Sequence, residues 1–281
     1  MRTVELTDGV HSSVLGFGCA PILGAVDGRT AARALDVAFD CGVNHFDLAR
    51  SYGYGEAERF IGRWLRGRRD EVVLASKFGI RATWRASLLR PLKPLVRALR
   101  PRTGGAPVEA VAPAPAPPRR DPVHEPVPLT SMEMRKSLEA SLKALGTDHL
   151  DVFFVHEPKG GLPHLDEMAE TAQRLKNEGK IRAWGLAFDW ADHEALVVDM
   201  GAFDVLQFNA SPGAPHYNEA MAAHGSAPNV LFSPLRQRGG LAPQEALRKL
   251  WNDFPNSIVL CSMFDTAHIR ANASAAGGAA C

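Results

Sequence analysis

The feature that most limits how this chain of 281 residues can fold is a strict alternation of two kinds of segment. Short apolar runs of the kind that form buried strands are each followed by a longer stretch of helical periodicity. Eight such pairs in succession are the pattern of a (β/α)8 barrel, and the chain length suits one such domain. The predicted strands are 14–19, 45–49, 72–77, 150–156, 181–187, 204–209, 230–235 and 257–262. The predicted helices are 28–41, 56–66, 131–145, 165–178, 192–200, 215–224, 243–253 and 265–275.

The main alternative is an open, doubly wound sheet, which usually carries a glycine fingerprint directly after its first strand. This chain has Gly16 and Gly18 at that place but lacks the third glycine, and Pro21 follows soon after. The sequence therefore favours an α/β fold of the TIM-barrel class, with residues 1–281 forming a single domain.

Residues 80–129 interrupt the alternation between the third strand and the third helix. They are rich in arginine and contain Ala-Pro repeats around Pro113 and Pro117, a proline density that excludes helix or central strand. In a barrel, this insertion would rise from the C-terminal face. We expect either a surface loop or a lid whose arginines attract an anionic substrate or cofactor phosphate. A short helix is expected within 81–99 and none within 103–128.

Charge and cysteine content restrict the class of partner and the compartment. A net charge of +1 gives no bias toward nucleic acid or anionic membranes, and no apolar run approaches a membrane span of roughly 18 residues. The four cysteines form no C-x-x-C pair and no zinc spacing, so free thiols and no metal site are expected. These observations predict a soluble, cytoplasmic protein and leave its oligomeric state open.

Ionisable side chains stand where consecutive predicted strands end, which is where barrel enzymes gather their catalytic groups. Asp47 ends the second strand, Lys77 the third and His156 the fourth, with Tyr52 on the loop after Asp47. A free phenol titrates at about 10, so a nearby cation would be needed to favour its ionised form. We expect Lys77 to lower the pKa of Tyr52, Asp47 to hold Lys77, and His156 to orient a carbonyl oxygen or pass a proton. Such a site protonates the oxyanion formed when hydride reaches a carbonyl carbon, and the hydride must come from a cofactor.

Five segments extend this pattern through the chain. They are Phe46-Asp47-Leu48-Ala49, Tyr52-Gly53-Tyr54-Gly55-Glu56-Ala57-Glu58, Ser76-Lys77-Phe78-Gly79, Val155-His156-Glu157-Pro158 and Gly179-Lys180-Ile181-Arg182-Ala183-Trp184-Gly185. In this order they resemble the motifs of the aldo-keto reductase family. The resemblance implies a catalytic tetrad of Asp47, Tyr52, Lys77 and His156, with Tyr52 as general acid. It also implies NADP(H) lying across the barrel mouth without a Rossmann domain, and a small-molecule carbonyl or alcohol as substrate.

The same resemblance implies the residues that contact the cofactor. Gln207 matches the glutamine that binds the nicotinamide carboxamide, Phe232 matches a ring that stacks on the nicotinamide, and Asn272 matches the asparagine that binds adenine. The full implied set is Gly18, Cys19, Asp47, Gln207, Phe232, Ser233, Leu235, Ser262, Met263, His268 and Asn272.

Two departures from the family pattern concern the cofactor. Ala187-Phe188 replaces the Ser-Asn pair that holds the carboxamide, which removes hydrogen bonds worth about 1 kcal/mol each. Ser262 and His268 stand where the family has a lysine and an arginine on the 2′-phosphate. NAD(H) is therefore an alternative to NADP(H), unless Arg270 or an arginine of 80–129 supplies the charge.

The leading functional prediction is an NAD(P)(H)-dependent oxidoreductase that transfers hydride between nicotinamide and a carbonyl or alcohol carbon. One alternative is a redox-neutral epimerase or dehydratase that uses the same cofactor, and another is a slowly turning-over module that senses cofactor state. Aromatic side chains expected in the substrate wall suggest an apolar or sugar-like carbonyl compound; they are Tyr54, Trp84, Phe188 and Trp190.

Overall fold

A computed structural model describes residues 1–89 and 123–278 of the chain. Eight parallel strands close into a barrel in which each strand pairs with the next along the chain and the last pairs with the first. The barrel strands are β3 (Leu15–Gly18), β4 (His45–Asp47), β5 (Val73–Phe78), β8 (Leu150–His156), β9 (Ile181–Phe188), β10 (Val205–Asn209), β11 (Asn229–Phe232) and β12 (Ile258–Cys261). The predicted α/β class and TIM-barrel architecture are confirmed.

Helices form the outer layer around the barrel. They are α1 (Gly28–Asp40), α3 (Ala57–Trp64), α5 (Ser131–Leu145), α6 (Leu165–Asn177), α7 (Tyr217–His224), α8 (Pro243–Asp253) and α9 (Thr266–Ala275), with a short turn α2 (Tyr52–Gly55) before α3. Asp27 caps the start of helix α1, and its carboxylate accepts hydrogen bonds from the backbone N–H groups of Arg29 and Thr30. The helix α5 ends at Gly146 in the left-handed region, with φ 69°. These are ordinary caps for helix ends.

The predicted helix 192–200 is wrong. Two 3-10 turns occupy the region instead, Trp190–Ala195 and Met200–Ala202. The carboxylates of Asp189 and Asp199 accept hydrogen bonds from backbone N–H groups two residues ahead, at 3.0 and 2.9 Å. Such local bonds give the backbone an alternative to continuous helix, and here they start two separate turns.

A hairpin of β1 (Thr3–Thr7) and β2 (Val10–Ser13) precedes the barrel. Its buried Leu6 and Val10 join the apolar cluster formed by the inward-facing residues of the barrel strands. A second, larger cluster lies between the barrel and the helices and contains Phe46, Phe153 and Trp184. The interior is thus filled with side chains on both faces of the sheet, as expected for a closed parallel barrel.

The ends of the insertion pair with each other directly after the third barrel strand. β6 (Ile80–Ala82) runs antiparallel to β7 (His124–Pro126), and a short helix α4 (Trp84–Leu89) follows β6. A short helix is therefore present within 81–99, as expected, near the start of that range. Most of the predicted loop or lid, at 90–122, lies outside the described residues.

The cysteines differ partly from expectation. Cys19 and Cys261 are free and buried, whereas Cys41 is disulfide-bonded, so the prediction of free thiols is wrong for Cys41. The helices that the structure describes include none with the length and apolarity needed to cross a bilayer.

Candidate active site

The four predicted catalytic side chains meet at the C-terminal end of the barrel. Successive residues of a strand point to opposite faces, so alternate residues share the inner face. Asp47, Lys77 and His156 each continue the inward-facing series of their strand at its C-terminal end. The inner series are His45 and Asp47 on β4, Val73, Ala75 and Lys77 on β5, and Val152, Phe154 and His156 on β8.

Lys77 is the centre of the group. Its ammonium donates to Oδ2 of Asp47 at 2.5 Å, to the carbonyl oxygen of Leu48 at 2.8 Å and to the hydroxyl of Tyr52 at 3.4 Å. The rings of Tyr52 and His156 lie 6.3 Å apart, nearly perpendicular to each other. The phenol hydroxyl therefore contacts the cation, and the imidazole lies edge-on to the phenol ring, so the four side chains converge as predicted.

The loop that carries Tyr52 needs glycine. Gly53 has φ 61°, and a Cβ added there would lie 2.6 Å from the carbonyl oxygen of Ile22. Tyr54 also has a left-handed φ of 61°, which is costly for a residue with a large side chain. This tight turn directs the Tyr52 side chain back over the end of β4 instead of outward.

The Lys77–Asp47 ion pair is buried, with side chains 2% and 5% exposed. Desolvation by burial opposes the charge on Lys77, but Asp47 and Tyr52 outweigh it, so the pKa of Lys77 is raised. Gln207 donates from Nε2 to the other oxygen of Asp47 at 2.8 Å, so both carboxylate oxygens have a partner. Pairing and hydrogen bonding of this kind are what allow two charges to remain in a buried site.

The pKa of Tyr52 depends on burial as well as on Lys77. Burial is the largest influence and raises the pKa to about 12, while Lys77 acts in the expected direction and lowers it, but by less. The direction predicted for Lys77 is confirmed, but burial raises the pKa of Tyr52 by more than Lys77 lowers it. The phenol is neutral at physiological pH and carries a proton that it can donate.

His156 is neutral as well. Burial lowers its pKa to about 3, and Lys77 and His124 act in the same direction. Its Nδ1 is buried and has no hydrogen-bond partner among the described residues. A neutral imidazole beside the phenol can accept or donate a hydrogen bond without adding charge.

A cavity of about 790 Å³ opens over this group and continues to the N-terminal parts of α8 and α9. Its wall includes the four tetrad side chains and nearly all residues predicted to contact the cofactor. These are Gly18, Asp47, Gln207, Phe232, Ser233, Leu235, Ser262, Met263, His268 and Asn272. Cys19 is the exception: its thiol is fully buried and does not belong to the wall.

The wall fits a dinucleotide. The volume lies within the range of cofactor sites, and apolar side chains are mixed with a few polar groups. Gly18 presents bare backbone, since a Cβ there would lie 3.0 Å from the hydroxyl of Ser262. At the far end, the side chains of Gln244 and Asn272 supply amides, with Gln244 Nε2 donating to Asn272 Oδ1 at 3.3 Å. Ala187 lies in the wall next to Gln207 and supplies no side-chain hydrogen bond.

Sequence reasoning missed several wall residues, notably Glu157, Arg236 and Gln244. Arg236 directly follows the predicted Leu235, and Glu157 follows His156, so extending each strand end by one residue would have found both. Gln244 begins a helix, and only the three-dimensional position of α8 brings it to the cavity.

A second cavity of about 430 Å³ adjoins the first and shares Tyr52 and His156 with it. Tyr54 lines it as expected, together with His124 from the stem of the insertion. Trp84 does not belong to the wall and is 69% exposed. Phe188 and Trp190 are buried behind the strands in the outer apolar cluster, so these three side chains do not shape the site as expected.

Fold and site together define a class of protein: a (β/α)8 barrel with a buried Asp-Lys pair, a tyrosine and a histidine at the mouth of a dinucleotide-sized cavity. The family model described as "Aldo/keto reductase family" matches residues 14–245. The chain belongs to the aldo/keto reductase family, as the sequence motifs predicted.

Individual relatives are distant. The chain is 29% identical over 194 residues to the aldo-keto reductase YhdN of Bacillus subtilis, covering 66% of this chain and 47% of YhdN. It is 28% identical over 220 residues to the NADH-specific methylglyoxal reductase of Escherichia coli, covering 74% of this chain and 58% of that protein. The matches thus span about half the length of these curated relatives.

A solved structure of an aldo-keto reductase from Pseudomonas aeruginosa superposes with a TM-score of 0.69 at 24% identity. The superposition covers 98% of this chain and 93% of that chain. At this identity the likeness supports the fold alone.

Proposed function

We propose that this chain is a nicotinamide-dependent oxidoreductase that acts between a carbonyl and an alcohol carbon of a small molecule, with Tyr52 as general acid and base. The observation that carries the proposal is the position of the Tyr52 hydroxyl. It lies 3.4 Å from a lysine ammonium that is itself held by a buried aspartate, at the mouth of a cavity sized for a dinucleotide.

The side chains of the tetrad carry out the proton transfer of the reaction. Tyr52 gives its proton to the substrate oxygen in reduction and takes it back in oxidation. Lys77 stabilises the phenolate left after donation, because its charge lies next to the hydroxyl and is desolvated. Asp47 keeps Lys77 in place and ionised, and neutral His156 orients the substrate oxygen without competing as an acid.

A reduced nicotinamide cofactor, when bound, supplies the electrons that no side chain here can provide. Gly18, Gln207 and Phe232 are positioned to contact the nicotinamide end of such a cofactor, and Gln244, His268 and Asn272 the other end. In this arrangement Gln207 would exchange or share its bond to Asp47 with the carboxamide. The second cavity, which also reaches Tyr52 and His156, is the place for the substrate.

Two measurements test the proposal. NADH and NADPH are titrated by quenching of tryptophan fluorescence, and a panel of aldehydes, ketones and sugars is then followed by the absorbance of reduced nicotinamide. We expect submillimolar binding of at least one nucleotide and multiple turnovers with at least one carbonyl compound. If neither nucleotide binds at millimolar concentration, the proposal is refuted.

The altered carboxamide site at Ala187 favours, as a second candidate, redox-neutral chemistry with a retained cofactor. That candidate is supported if the wild-type protein is purified with tightly bound cofactor and converts substrate without a net change in reduced nicotinamide. A single oxidation of bound cofactor without further turnover would instead support a sensing module.

A further inference from the structure

The walls of the two cavities have four residues in common, and these residues mark the place where cofactor and substrate would meet. They are Ala20, Tyr52, His156 and Glu157. Tyr52 and His156 belong to the tetrad, and Ala20 has no polar side-chain atom. Glu157 is the fourth, and neither the proton transfer nor the proposed cofactor contacts use it.

The backbone on both sides fixes the position of Glu157. Its N–H donates to the carbonyl oxygen of Ala187 at 2.7 Å, which extends the pairing of β8 with β9 by one residue. Pro158 follows directly, is buried and has a fixed φ. Glu157 itself has a left-handed φ of 46°, a conformation that is unfavourable for a residue with a side chain and is concentrated at functional sites. A strained backbone therefore holds a glutamate between the two cavities.

The carboxylate of Glu157 has no hydrogen-bond or ion-pair partner among the described residues. The nearest lysine in sequence, Lys159, donates to Asp192 at 2.8 Å instead. The lysine of the tetrad, Lys77, is bound to Asp47. Because Glu157 is also exposed, its carboxylate is open to a ligand that enters the cavity.

Glu157 also sets the charge of the second cavity. The described wall of that cavity contains no lysine or arginine, and Glu157 is its one acidic residue. Of the two histidines in the wall, His156 is neutral, and His124 donates from Nε2 to the carbonyl oxygen of Ser51 at 3.3 Å. Arg236 lines the first cavity and not the second. The one fixed charge in the described wall of the second cavity is thus negative.

A carboxylate accepts hydrogen bonds and cannot donate them. Beside a reacting carbonyl group, it favours substrate groups that donate, such as a hydroxyl or an ammonium group. A carboxylate or phosphate on the substrate would meet a like charge, which weakens binding. An alkyl group would offer no hydrogen bond and would displace the water that solvates Glu157.

We propose that Glu157 is a specificity-determining residue, which selects small carbonyl compounds with hydroxyl or ammonium groups and rejects those with carboxylate or phosphate groups. This inference rests on the proposed function, because it places the reacting carbonyl at Tyr52 and the rest of the substrate in the second cavity. It names a class of substrate that the tetrad does not determine, since the tetrad serves any carbonyl carbon.

The test compares four aldehydes of the form OHC–CH2–CH2–X, in which X is a hydroxyl, ammonium, methyl or carboxylate group. They are 3-hydroxypropanal, 3-aminopropanal, butanal and succinic semialdehyde. The value of kcat/KM is measured for each by the absorbance of reduced nicotinamide, at neutral pH, low ionic strength and saturating nucleotide. Butanal is the internal reference, and ratios to butanal cancel any general loss of activity in a variant.

For the wild-type protein we expect kcat/KM about fivefold above butanal with the ammonium group and about fivefold below it with the carboxylate, as for a solvent-exposed charge pair. In Glu157→Gln both should lie within about twofold of butanal, and added salt should shift the wild-type ratios in the same direction. The amide oxygen of glutamine still accepts, so the preference for 3-hydroxypropanal should survive in Glu157→Gln and be lost in Glu157→Leu.

Glu194→Gln is the matched control and should keep the wild-type ratios. It removes a carboxylate from the turn that follows the neighbouring strand β9, and Glu194 belongs to the described wall of neither cavity.

A wild-type preference for succinic semialdehyde, or equal ratios in Glu157→Gln and Glu194→Gln, would overturn the inference and leave the proposed function intact. The first of these results would favour the alternative in which arginines of 80–129 attract an anionic substrate. Turnover of other carbonyl compounds, but of none with a hydroxyl or ammonium group, would overturn the inference too. Absence of nucleotide binding, or of turnover with every carbonyl compound, would instead refute the proposed function.

Discussion

Replacing Lys77 by methionine tests the energetic reasoning about the buried ion pair. The wild-type ammonium lies 2.5 Å from Asp47 and 2.8 Å from the carbonyl oxygen of Leu48, and its side chain is 2% exposed. Methionine preserves most of the volume but leaves a buried carboxylate without its cation, a change that costs about 3–5 kcal/mol in other proteins. Because Gln207 still donates to Asp47, we expect the free energy of unfolding to fall by about 3 kcal/mol, the lower part of that range.

The assay is equilibrium unfolding in urea at neutral pH, followed by tryptophan fluorescence. Lys136→Met is the matched control, since Lys136 pairs with Glu133 at 3.4 Å on the surface of α5 and is 68% exposed. The control should change stability by less than about 0.5 kcal/mol. A loss below about 1 kcal/mol for Lys77→Met would refute the view that Asp47 depends on this cation in a site of low dielectric.

Two further predictions concern pH and cofactor binding. Burial lowers the pKa of His45 to about 4. Below pH about 6.5, His45 is therefore protonated in the unfolded chain but stays neutral in the folded protein. The contribution of neutral His45 to the free energy of unfolding is present above pH 6.5 and is lost as the pH falls toward 4. Between pH 7 and 5 the free energy of unfolding, measured in urea, should fall by about 2 kcal/mol because of His45. The variant His45→Asn should lack this decrease, and the exposed control His11→Asn should retain it. Equal dependence of stability on pH in the two variants would contradict the assignment. Ala187→Ser restores a hydroxyl beside Gln207, so the dissociation constant of the preferred nucleotide should fall about fivefold, equivalent to about 1 kcal/mol; an unchanged or raised constant would show that the carboxamide does not reach this position.

The parts of the site that follow from strand periodicity could be predicted from the sequence. Asp47, Lys77 and His156 end three neighbouring parallel strands on the same face, and the closed barrel brings such ends together. The pKa of Tyr52 could not be predicted in the same way, because its dominant cause is the depth of burial, which depends on the whole fold. The bond from Gln207 to Asp47 likewise joins side chains 160 positions apart across the barrel.

Local hydrogen bonds from aspartate side chains explain why the predicted helix 192–200 does not form. Asp199 caps its own short turn, and this side-chain bond helps end what apolar periodicity indicated as a continuous helix. Asp265 likewise accepts hydrogen bonds from backbone N–H groups at the start of α9, where the predicted helix is present.

The most direct test of the central proposal is Tyr52→Phe, measured with the carbonyl compound that the wild-type protein reduces fastest. The substitution removes one hydroxyl and leaves Lys77 bound to Asp47 and Leu48, so folding and nucleotide affinity should stay close to wild type. Loss of a general acid should lower kcat by about two to four orders of magnitude. A variant that binds its nucleotide normally and turns over within about tenfold of the wild-type rate would contradict the assignment of Tyr52 as the proton donor.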